Sequence, residues 1–296
     1  MSIKKYVLLF GFVASAASSG AHATSVSGQF TLAGKPFKPI EVAAFRIRDQ
    51  FSPHEFETYV MLTMKPVNKD KIKSSLDPYT TAINDPAAFG DGVDYIAFSV
   101  HKDGTTSVNA HVGGVQYVDT SGTMMGQKGS LHAGCKENSA TRVACSVETA
   151  KEVKPMDGPA WTLDVTFETD VLARPVGKPM AKDGEAPGKA LIALRAAVAG
   201  NDFAKILAML TPEKAKSYNE DYNTPAENLK STKQILDVRL PKQPKITGGE
   251  WLSDDDALLE VEGTPYPGGH MLYLVEMRRV DAKWLWSDSS PAGLLH

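Results

Sequence analysis

The feature that most constrains the fold is a change in the spacing of apolar residues across one proline- and glycine-rich segment. This segment is LARPVGKPMAKDGEAPGK, residues 172–189. Prolines and glycines at this density disfavour regular strands and helices. Apolar residues alternate with polar ones before the segment and recur at three- and four-residue spacings after it. We therefore predict two domains joined by a linker at residues 172–187.

The chain before the linker, residues 24–171, predicts an all-β domain. Apolar and polar residues alternate in seven short runs, which are SGQFTLAG, IEVAAFRIRD, FETYVMLTMKP, VDYIAFSVHKDG, TTSVNAHVGG, RVACSVETA and WTLDVTFETDVL. Short strands at this spacing are typical of a β-sandwich or a barrel, and we predict a sandwich-like domain. Within this region only KDKIKSSLD predicts a helix.

One hairpin of this domain has a register that the sequence predicts. The turn lies at Asp103-Gly104, in a three-residue loop that ends at Thr105. This loop pairs Ile96 with Val112, Phe98 with Ala110, and Val100 with Val108. All three apolar pairs then share one face of the sheet, whereas a two-residue loop would place apolar residues opposite polar ones.

The chain after the linker, residues 188–296, predicts an α+β domain. Apolar residues lie at helical spacing in two successive segments, with Leu191, Leu194 and Val198 in the first and Phe203, Ile206, Leu207 and Leu210 in the second. Capping residues support helix starts at Asn201 or Asp202, at Thr211-Pro212 and at Thr224-Pro225. Strand-like runs follow in QPKITGGEW, ALLEVEGT, HMLYLVEMRRV and KWLWSDSS. We predict three helices packed on an antiparallel sheet.

Two stretches of this region resemble the nuclear transport factor 2-like superfamily. They are ALIALRAAVAGNDFAKILAMLTP, which predicts a helix, a break and a second helix, and VEMRRVDAKWLWSDSS, which predicts a strand, a tight turn and a tryptophan-rich last strand. The resemblance covers residues 188–296 and implies helices lying in the concavity of a bent sheet, which together make a cone. Members include isomerases, polyketide cyclases, dehydratases and non-catalytic binding or assembly modules, so the resemblance does not select one function.

Aromatic residues of this region are candidates for lining a pocket inside the cone: Tyr218, Tyr222, Trp251, Tyr273 and Trp286. A packed core is the simpler interpretation of these side chains, because large aromatic residues dominate cores. Catalytic members of the superfamily use an Asp with a His or a Tyr, and Asp221, His270 and Asp288 are further residues of these types here. None of them lies in a matching motif, so we assign no catalytic residue.

The N-terminus has the order of a secretory signal peptide. Lys4 and Lys5 precede an apolar run, and small residues follow it, with predicted cleavage after Ala23. The apolar run is about half of the roughly 20 residues that cross a bilayer, and no later run is long enough to do so. Residues 1–23 contain no cysteine that could carry a lipid. We therefore predict a soluble protein without a membrane span that is periplasmic or secreted.

The charge balance argues against a nucleic-acid-binding protein. The chain has 32 Lys and Arg residues against 35 Asp and Glu, and removal of residues 1–23 takes away two lysines and no acid. Binding to a phosphate backbone needs clustered basic charge. The basic runs, KDKIK at 69–73 and Arg278-Arg279, are short, and solvated faces are the simpler interpretation of both.

No motif of the sequence predicts a cofactor or a metal. The segment GTMMGQKGS, residues 122–130, has the wrong spacing for a phosphate loop. The acidic run at 254–256 lacks the glycine and the distal glutamate of a calcium-binding loop. His132 and Cys135, with two methionines at 124–125, leave a soft copper site as a minor alternative.

The two cysteines of the chain both lie in GCKENSATRVACS, residues 134–146. In an oxidising compartment, two cysteines in a short loop are more often bonded than free. A hairpin centred on Ala140 pairs Leu131 with Thr149, Ala133 with Val147, and Cys135 with Cys145. Directly opposed strand positions meet disulfide geometry, whereas redox exchange usually needs Cys-x-x-Cys. We therefore predict a disulfide between Cys135 and Cys145.

These observations favour an exported, non-enzymatic binding protein. Its C-terminal cone is predicted to hold a small apolar ligand or to dock a protein partner, a second copy of the chain included. One alternative is an isomerase, cyclase or dehydratase that works in the cone through Tyr, Asp or His. Another is an inhibitor or immunity-type partner of a second exported protein. Two titratable groups converging on one closed apolar pocket would favour the enzyme.

Overall fold

Strands provide most of the regular structure, as the alternating pattern predicts. The computed structural model describes residues 24–49, 52–78, 81–82, 94–100, 106–112, 115–119, 131–149, 151–154, 158–220, 224–264 and 269–295. Within these ranges, fifteen strands and five helices form a mixed α+β structure with two sheets. The predicted signal peptide, residues 1–23, lies outside the described residues. The division into two domains stays a prediction.

The first sheet has ten strands. They are β1 Ser25–Leu32, β2 Lys35–Phe37, β3 Glu41–Arg48, β4 Phe56–Thr63, β5 Tyr95–Val100, β6 Thr106–Val112, β7 Val115–Asp119, β8 Leu131–Asn138, β9 Arg142–Thr149 and β10 Trp161–Leu172. The order is β2-β1-β10-β3-β4-β5-β6-β7, and β9 pairs with both β10 and β8. All seven runs that the sequence predicts as strands therefore form strands.

The long strand β10 joins the two halves of this sheet. Most of it pairs antiparallel with β1 and β9, whereas its last two residues pair in parallel with β3. Alternate side chains of β10 are buried, as expected for a strand with one covered face. Both halves contribute to one apolar cluster, in which the ring centroids of Phe98 and Phe167 lie 5.3 Å apart. The sheet is therefore curled around its own core.

The sequence predicts two hairpin registers, and the structure confirms one of them. Strands β8 and β9 pair Leu131 with Thr149, Ala133 with Val147, and Cys135 with Cys145, as predicted. The predicted β5–β6 register is wrong by two residues, because Ile96 pairs with Ala110, Phe98 with Val108, and Val100 with Thr106. A shift of two residues keeps every side chain on the same face. The alternation of apolar residues therefore cannot distinguish the two registers.

Five helices are described: α1 Lys69–Ser74, α2 Glu185–Ala199, α3 Phe203–Leu207, α4 Pro212–Glu220 and α5 Pro225–Arg239. The run KDKIKSSLD forms the predicted helix α1. After the linker the structure has four helices rather than the predicted three, because each of the three predicted capping positions begins its own helix after α2. Asp202 caps the short α3 by accepting a hydrogen bond from the Lys205 N–H at 3.0 Å. None of these five helices is long and apolar enough to cross a membrane.

Thr224 begins α5 with a capping box. Its Oγ1 accepts a hydrogen bond from the Glu227 N–H at 3.3 Å and donates one to the Glu227 carboxylate at 2.7 Å. Pro225 occupies the first turn, where its missing N–H costs no hydrogen bond. The capping residues that the sequence predicts at Thr224-Pro225 therefore act as caps.

The segment predicted as a linker contains regular structure in its middle and at its C-terminal end. Its residues 178–179 form strand β11, Lys178–Pro179, which pairs with Trp251 and Glu250 at the edge of the second sheet. Residues 185–187 already belong to α2, which follows Gly184 in the left-handed conformation with φ of 68°. The segment is thereby attached to the second sheet before the helices begin.

The second sheet has the order β11-β12-β13-β14-β15 and is antiparallel throughout. Its further strands are β12 Lys245–Trp251, β13 Asp256–Gly263, β14 His270–Val280 and β15 Lys283–Leu295. Register shifts interrupt the β12–β13 and β14–β15 pairs, and bulges of this kind bend strands. Helices α2 to α5 pack on one face over a single apolar cluster. The other face turns towards the first sheet, where Arg48 Nη2 lies 2.9 Å from Glu260 Oε1.

Candidate binding cleft between the two sheets

The two cysteines form the predicted disulfide. Cys135 on β8 and Cys145 on β9 are directly opposed, with Cα atoms 4.0 Å apart. The register shifts just beyond the bridge, so that Glu137 pairs with Ala144. Cys145 is buried and Cys135 is exposed. The disulfide therefore ties an exposed strand to a strand of the first core.

The aromatic residues predicted to line a pocket in the cone are packed side chains. Tyr273 and Trp286 have no exposed surface, and Tyr218 is buried. The ring centroids of Tyr218 and Trp286 lie 6.4 Å apart. Trp251 packs at the margin of the same apolar cluster, and Tyr222 lies outside the described residues. Four of the five side chains thus meet in one core.

Buried polar groups accompany these rings. Among the described residues, the Tyr273 hydroxyl and the Trp286 Nε1 have no hydrogen-bond partner. Burial raises the pKa of Tyr273 to about 12, with a smaller opposing effect from Arg195. Arg195 itself donates from Nη1 and Nη2 to Asp237 Oδ1, each at 3.1 Å. A phenol with this pKa stays protonated at neutral pH, so Tyr273 is suited to packing and not to proton abstraction.

The other acid–base candidates of residues 188–296 do not converge. His270 is half-exposed at the start of β14, with Nε2 3.5 Å from Glu262 Oε2. Asp288 pairs with Glu276, six positions further along β14, which separates it from His270 by roughly 20 Å. Its carboxylate is engaged by Arg239 at 2.6 Å. Asp221 lies outside the described residues.

Metal-ligating side chains do not cluster in the part of the chain that the structure describes, where no group of three or more His, Cys, Asp or Glu residues is arranged to hold an ion. Two carboxylates of the acidic run at 254–256 form ion pairs with arginines: Asp255 with Arg279 at 2.7 Å and Asp256 with Arg278 at 3.0 Å. The methionine pair at 124–125 and the segment 122–130 lie outside the described residues.

A cleft of about 720 Å³ lies between the two sheets. Phe56 of β4 and Ile72 of α1 contribute to one wall. Leu258 and Leu274 contribute to the other wall, from the face of the second sheet opposite the helices. The segment around Pro175, which connects the two sheets, lines the cleft as well. A mostly apolar cleft of this volume, at a junction between structural units, has the properties of small-molecule binding sites.

Two neighbouring arginines of β3 form a cationic part of the cleft. Arg48 is held firmly, since its Nη1 donates to the Pro53 carbonyl at 2.7 Å and its Nη2 contacts Glu260. Arg46 donates from Nη2 to the Phe56 carbonyl at 3.1 Å, and its Nε is buried without an acceptor among the described residues. Both guanidinium groups lie over the Phe56 ring, at 5.0 and 4.9 Å from its centroid. Such cation–π contacts hold charge against an apolar wall.

A third arginine lies where the cleft meets a smaller cavity of about 250 Å³. The two cavities share Arg174, Pro175 and Val176 as lining residues. Arg174 Nη2 lies 3.8 Å from Glu276 Oε1, which is an ion-pair distance but too long for a hydrogen bond. Burial raises the pKa of Glu276, and the Arg174 guanidinium opposes that rise. Val176 is 86% exposed beside them, which is unusual for a large apolar side chain.

Nothing in the sequence alone predicts this cleft. Its lining residues extend from Arg46 to Gly293, so only the folded chain brings them together. The available signals were two short segments in which arginine stands among apolar residues, FRIR at 45–48 and LARPV at 172–176. A long charged side chain beside apolar residues fits many surfaces, because its stem covers apolar groups while its head stays in water.

No protein-family model matches the chain, and no curated protein matches its sequence significantly. The resemblance of residues 188–296 to the nuclear transport factor 2-like superfamily therefore stays a prediction. Functional inference has to start from the geometry of this chain.

Proposed function

We propose that this protein is an exported, non-enzymatic binding protein that holds a small, largely apolar molecule in the cleft between its two sheets. The cleft itself carries the proposal, because both sheets and the connecting segment contribute to one apolar space of about 720 Å³. The sequence predicts a ligand in the cone instead. The complete burial of Tyr273 and Trp286 favours the cleft over the cone.

Export is part of this proposal. The basic, apolar and small-residue order of residues 1–23 supports it. The bridge between Cys135 and Cys145 supports it too, because disulfides persist in oxidising compartments. We also propose a nuclear transport factor 2-like cone for residues 188–296, supported by four helices on one face of a bulged antiparallel sheet.

A binding role agrees with the chemistry of the titratable groups better than an enzymatic one. An enzyme of the kind considered for this region should bring two titratable groups together on one closed apolar pocket. His270 and Asp288 lie far apart, His270 Nε2 lies beside the Glu262 carboxylate, and the Asp288 carboxylate is paired with Arg239. Tyr273 has no exposed surface, so its hydroxyl does not face a space that a substrate could enter. These observations weigh against the isomerase, cyclase or dehydratase alternative.

The experiment is a titration of the mature protein with N-phenyl-1-naphthylamine, a neutral dye that fluoresces in apolar sites. We expect saturable binding with one site per chain. The variant Leu274→Trp places a bulky side chain on the cleft wall, which narrows the apolar space, and should weaken dye binding at least tenfold. Leu274 is only partly buried, so the variant should fold, and a thermal melt checks this. Val238→Trp is the matched control, since Val238 is 64% exposed on α5 and lines no part of the cleft.

Two results would contradict the proposal. Absence of saturable binding would mean that the cleft does not accept apolar molecules. Equal binding by the wild type and by Leu274→Trp would place the dye elsewhere on the molecule.

A further inference from the structure

We propose that the ligand carries a single anionic group at the end of its apolar body, and that Arg174 binds this group in exchange for its contact with Glu276. This inference rests on the proposed binding function and specifies the chemical class of the ligand. A carboxylate attached to an aliphatic chain is the simplest member of that class.

In the part of the chain that the structure describes, one N–H group of Arg174 lacks a hydrogen-bond acceptor. Its Nη2 is buried, yet among the described residues it has no hydrogen-bond acceptor. Glu276 Oε1, at 3.8 Å, contributes charge but no hydrogen bond. A buried N–H without an acceptor is costly, and a carboxylate can accept two parallel N–H bonds from one guanidinium group. An anionic ligand would therefore gain more from Arg174 than Glu276 does in this arrangement.

Glu276 is a weak competitor for the same arginine. Burial disfavours its charged form, and Asp288 and Asp256 repel it further. Its ion pair with Arg174 is only partly exposed to water, with side chains 21% and 27% exposed. A ligand that brings its own negative charge can therefore replace Glu276 as the partner of Arg174, because burial already disfavours the charged form of Glu276.

The remaining charges of the cleft limit the ligand to one anionic group. Arg46, Arg48 and Lys73 add positive charge to the lining, although Arg48 is already paired with Glu260, while Asp77 and Glu250 add negative charge. Glu250 has a structural task, because its carboxylate accepts the Gly177 N–H at 2.9 Å. A polyanion would meet these carboxylates, and like charges in contact are unfavourable. A single carboxylate at the arginine end avoids them.

The apolar lining accounts for the rest of the ligand. Leu258, Leu274 and Pro291 provide apolar surface from the second sheet. Val176, which lines both cavities and is 86% exposed, would lose part of this exposure on contact with an aliphatic chain. The favourable free energy of such contacts grows with the apolar area removed from water. An aliphatic body therefore supplies affinity, and the carboxylate supplies orientation.

The test compares decanoate with decanol, which has the same chain length and no charge. Each competes with N-phenyl-1-naphthylamine on the mature protein at pH 7.5. We expect decanoate to bind at least tenfold more tightly than decanol, the range of one charge-assisted hydrogen bond. Arg174→Gln should reduce this preference below threefold. Glu276→Gln should strengthen decanoate binding, because it removes the competing carboxylate. Arg279→Gln, an exposed arginine outside the cleft, is the control and should leave the preference intact.

The outcomes separate this inference from the proposed function. Equal binding of decanoate and decanol would overturn the anionic class while leaving an apolar binding cleft. A preference that Arg46→Gln abolishes and Arg174→Gln does not would overturn the assignment to Arg174. No binding of dye, decanol or decanoate would overturn the proposed function itself. If Arg174→Gln does not fold, a weaker affinity for decanoate in Glu276→Gln still contradicts the exchange.

Discussion

Arg48 of β3 and Glu260 of β13 form an ion pair between the two sheets, with Nη2 and Oε1 2.9 Å apart. The two residues are separated by 212 positions in the chain. Arg48 is fixed from its other side by the Pro53 carbonyl, and its guanidinium lies over the Phe56 ring. Because Arg48 is already held in this way, it loses little further side-chain entropy when it pairs with Glu260. The contact therefore connects the two sheets at the cleft, where a ligand would act.

The free energy of this contact can be measured with a double-mutant cycle. We expect Arg48→Met and Glu260→Gln to show a coupling energy of about 1 kcal/mol in urea unfolding, because the side chains are only 18% and 34% exposed. The exposed pair Lys154–Glu152 is the control and should show a coupling energy near zero. A coupling energy near zero for Arg48 and Glu260 would mean that the sheets do not maintain this contact in solution.

The disulfide is predicted to stabilise the fold without chemical reactivity. Replacing Cys135 and Cys145 together by serine should lower the free energy of unfolding by about 2–3 kcal/mol, because the bridge closes a short loop in the unfolded chain. Urea unfolding of the two proteins measures the difference. Unreduced wild-type protein should show no thiol that reacts with an aromatic disulfide reagent, and two reactive thiols would disprove the bridge.

Local patterns in the sequence predict the elements of this fold well. Each alternating run forms a strand, because covering one face of a sheet imposes a period of two. The Cys135–Cys145 register follows from two independent constraints, the alternation and the bridge. The β5–β6 register has the alternation alone, which a shift of two residues satisfies equally well. The alternation of apolar residues therefore predicts which face of the sheet a side chain lies on more reliably than it predicts which residues pair between strands.

The cleft and the packed core between the second sheet and helices α2 to α5 depend on contacts between distant parts of the chain. The sequence predicts that Tyr273 and Trp286 are large side chains on an apolar face, but it does not predict which elements cover that face. Helices α2 to α5 cover it completely. From the sequence alone, Arg46 and Arg174 are expected to be ordinary surface cations, because the sequence does not show that the second sheet lies beside them. Their missing hydrogen-bond acceptors become visible only in the assembled structure.

The burial of Tyr273 in the core between the second sheet and the helices leads to a specific prediction. The variant Tyr273→Phe should leave the free energy of unfolding unchanged or raise it by up to about 1 kcal/mol, because it removes a buried hydroxyl that lacks a partner among the described residues. Tyr273→Ala should cost about 3–5 kcal/mol through the cavity that it creates. Urea unfolding measures both. A loss above about 1 kcal/mol in Tyr273→Phe would show that the hydroxyl is hydrogen-bonded in solution.

Gly188 at the start of α2 is required by close packing. A Cβ atom there would lie 2.3 Å from the Asp183 carbonyl oxygen and 2.7 Å from Ile246 Cδ1. We expect Gly188→Ala to lower the free energy of unfolding by roughly 1–3 kcal/mol, although alanine favours helices. Gly200→Ala at the end of the same helix is the control, because its nearest contact is 3.4 Å, and it should change stability by less than about 0.5 kcal/mol. Equal effects of both variants in thermal or urea unfolding would contradict the packing argument.

Because of Glu276, the free energy of unfolding should fall as the pH rises. Burial, with smaller contributions from Asp288 and Asp256, raises the pKa of this carboxyl above its ordinary value of 4.5, and Arg174 opposes the rise. The folded state then binds the proton more tightly than the unfolded state does. The resulting stabilisation is complete below the unfolded pKa and is lost as the pH rises through the folded pKa. Glu276→Gln carries no such charge, so it should be more stable than the wild type at pH 7 and should decline less above pH 4.5.

Glu262 is a control, because its carboxyl should change the free energy of unfolding with pH in the opposite direction. Hydrogen bonding from Lys245 and then from His270 lowers the pKa of its carboxyl, despite some burial. Its stabilisation is present above the unfolded pKa and is lost as the pH falls through the folded pKa, so Glu262→Gln should be less stable than the wild type at pH 7. Urea unfolding of the three proteins between pH 4 and pH 8 measures both effects. If Glu276→Gln proves less stable than the wild type at pH 7, the attraction of Arg174 outweighs the burial of Glu276, and a ligand anion could not displace that carboxylate easily.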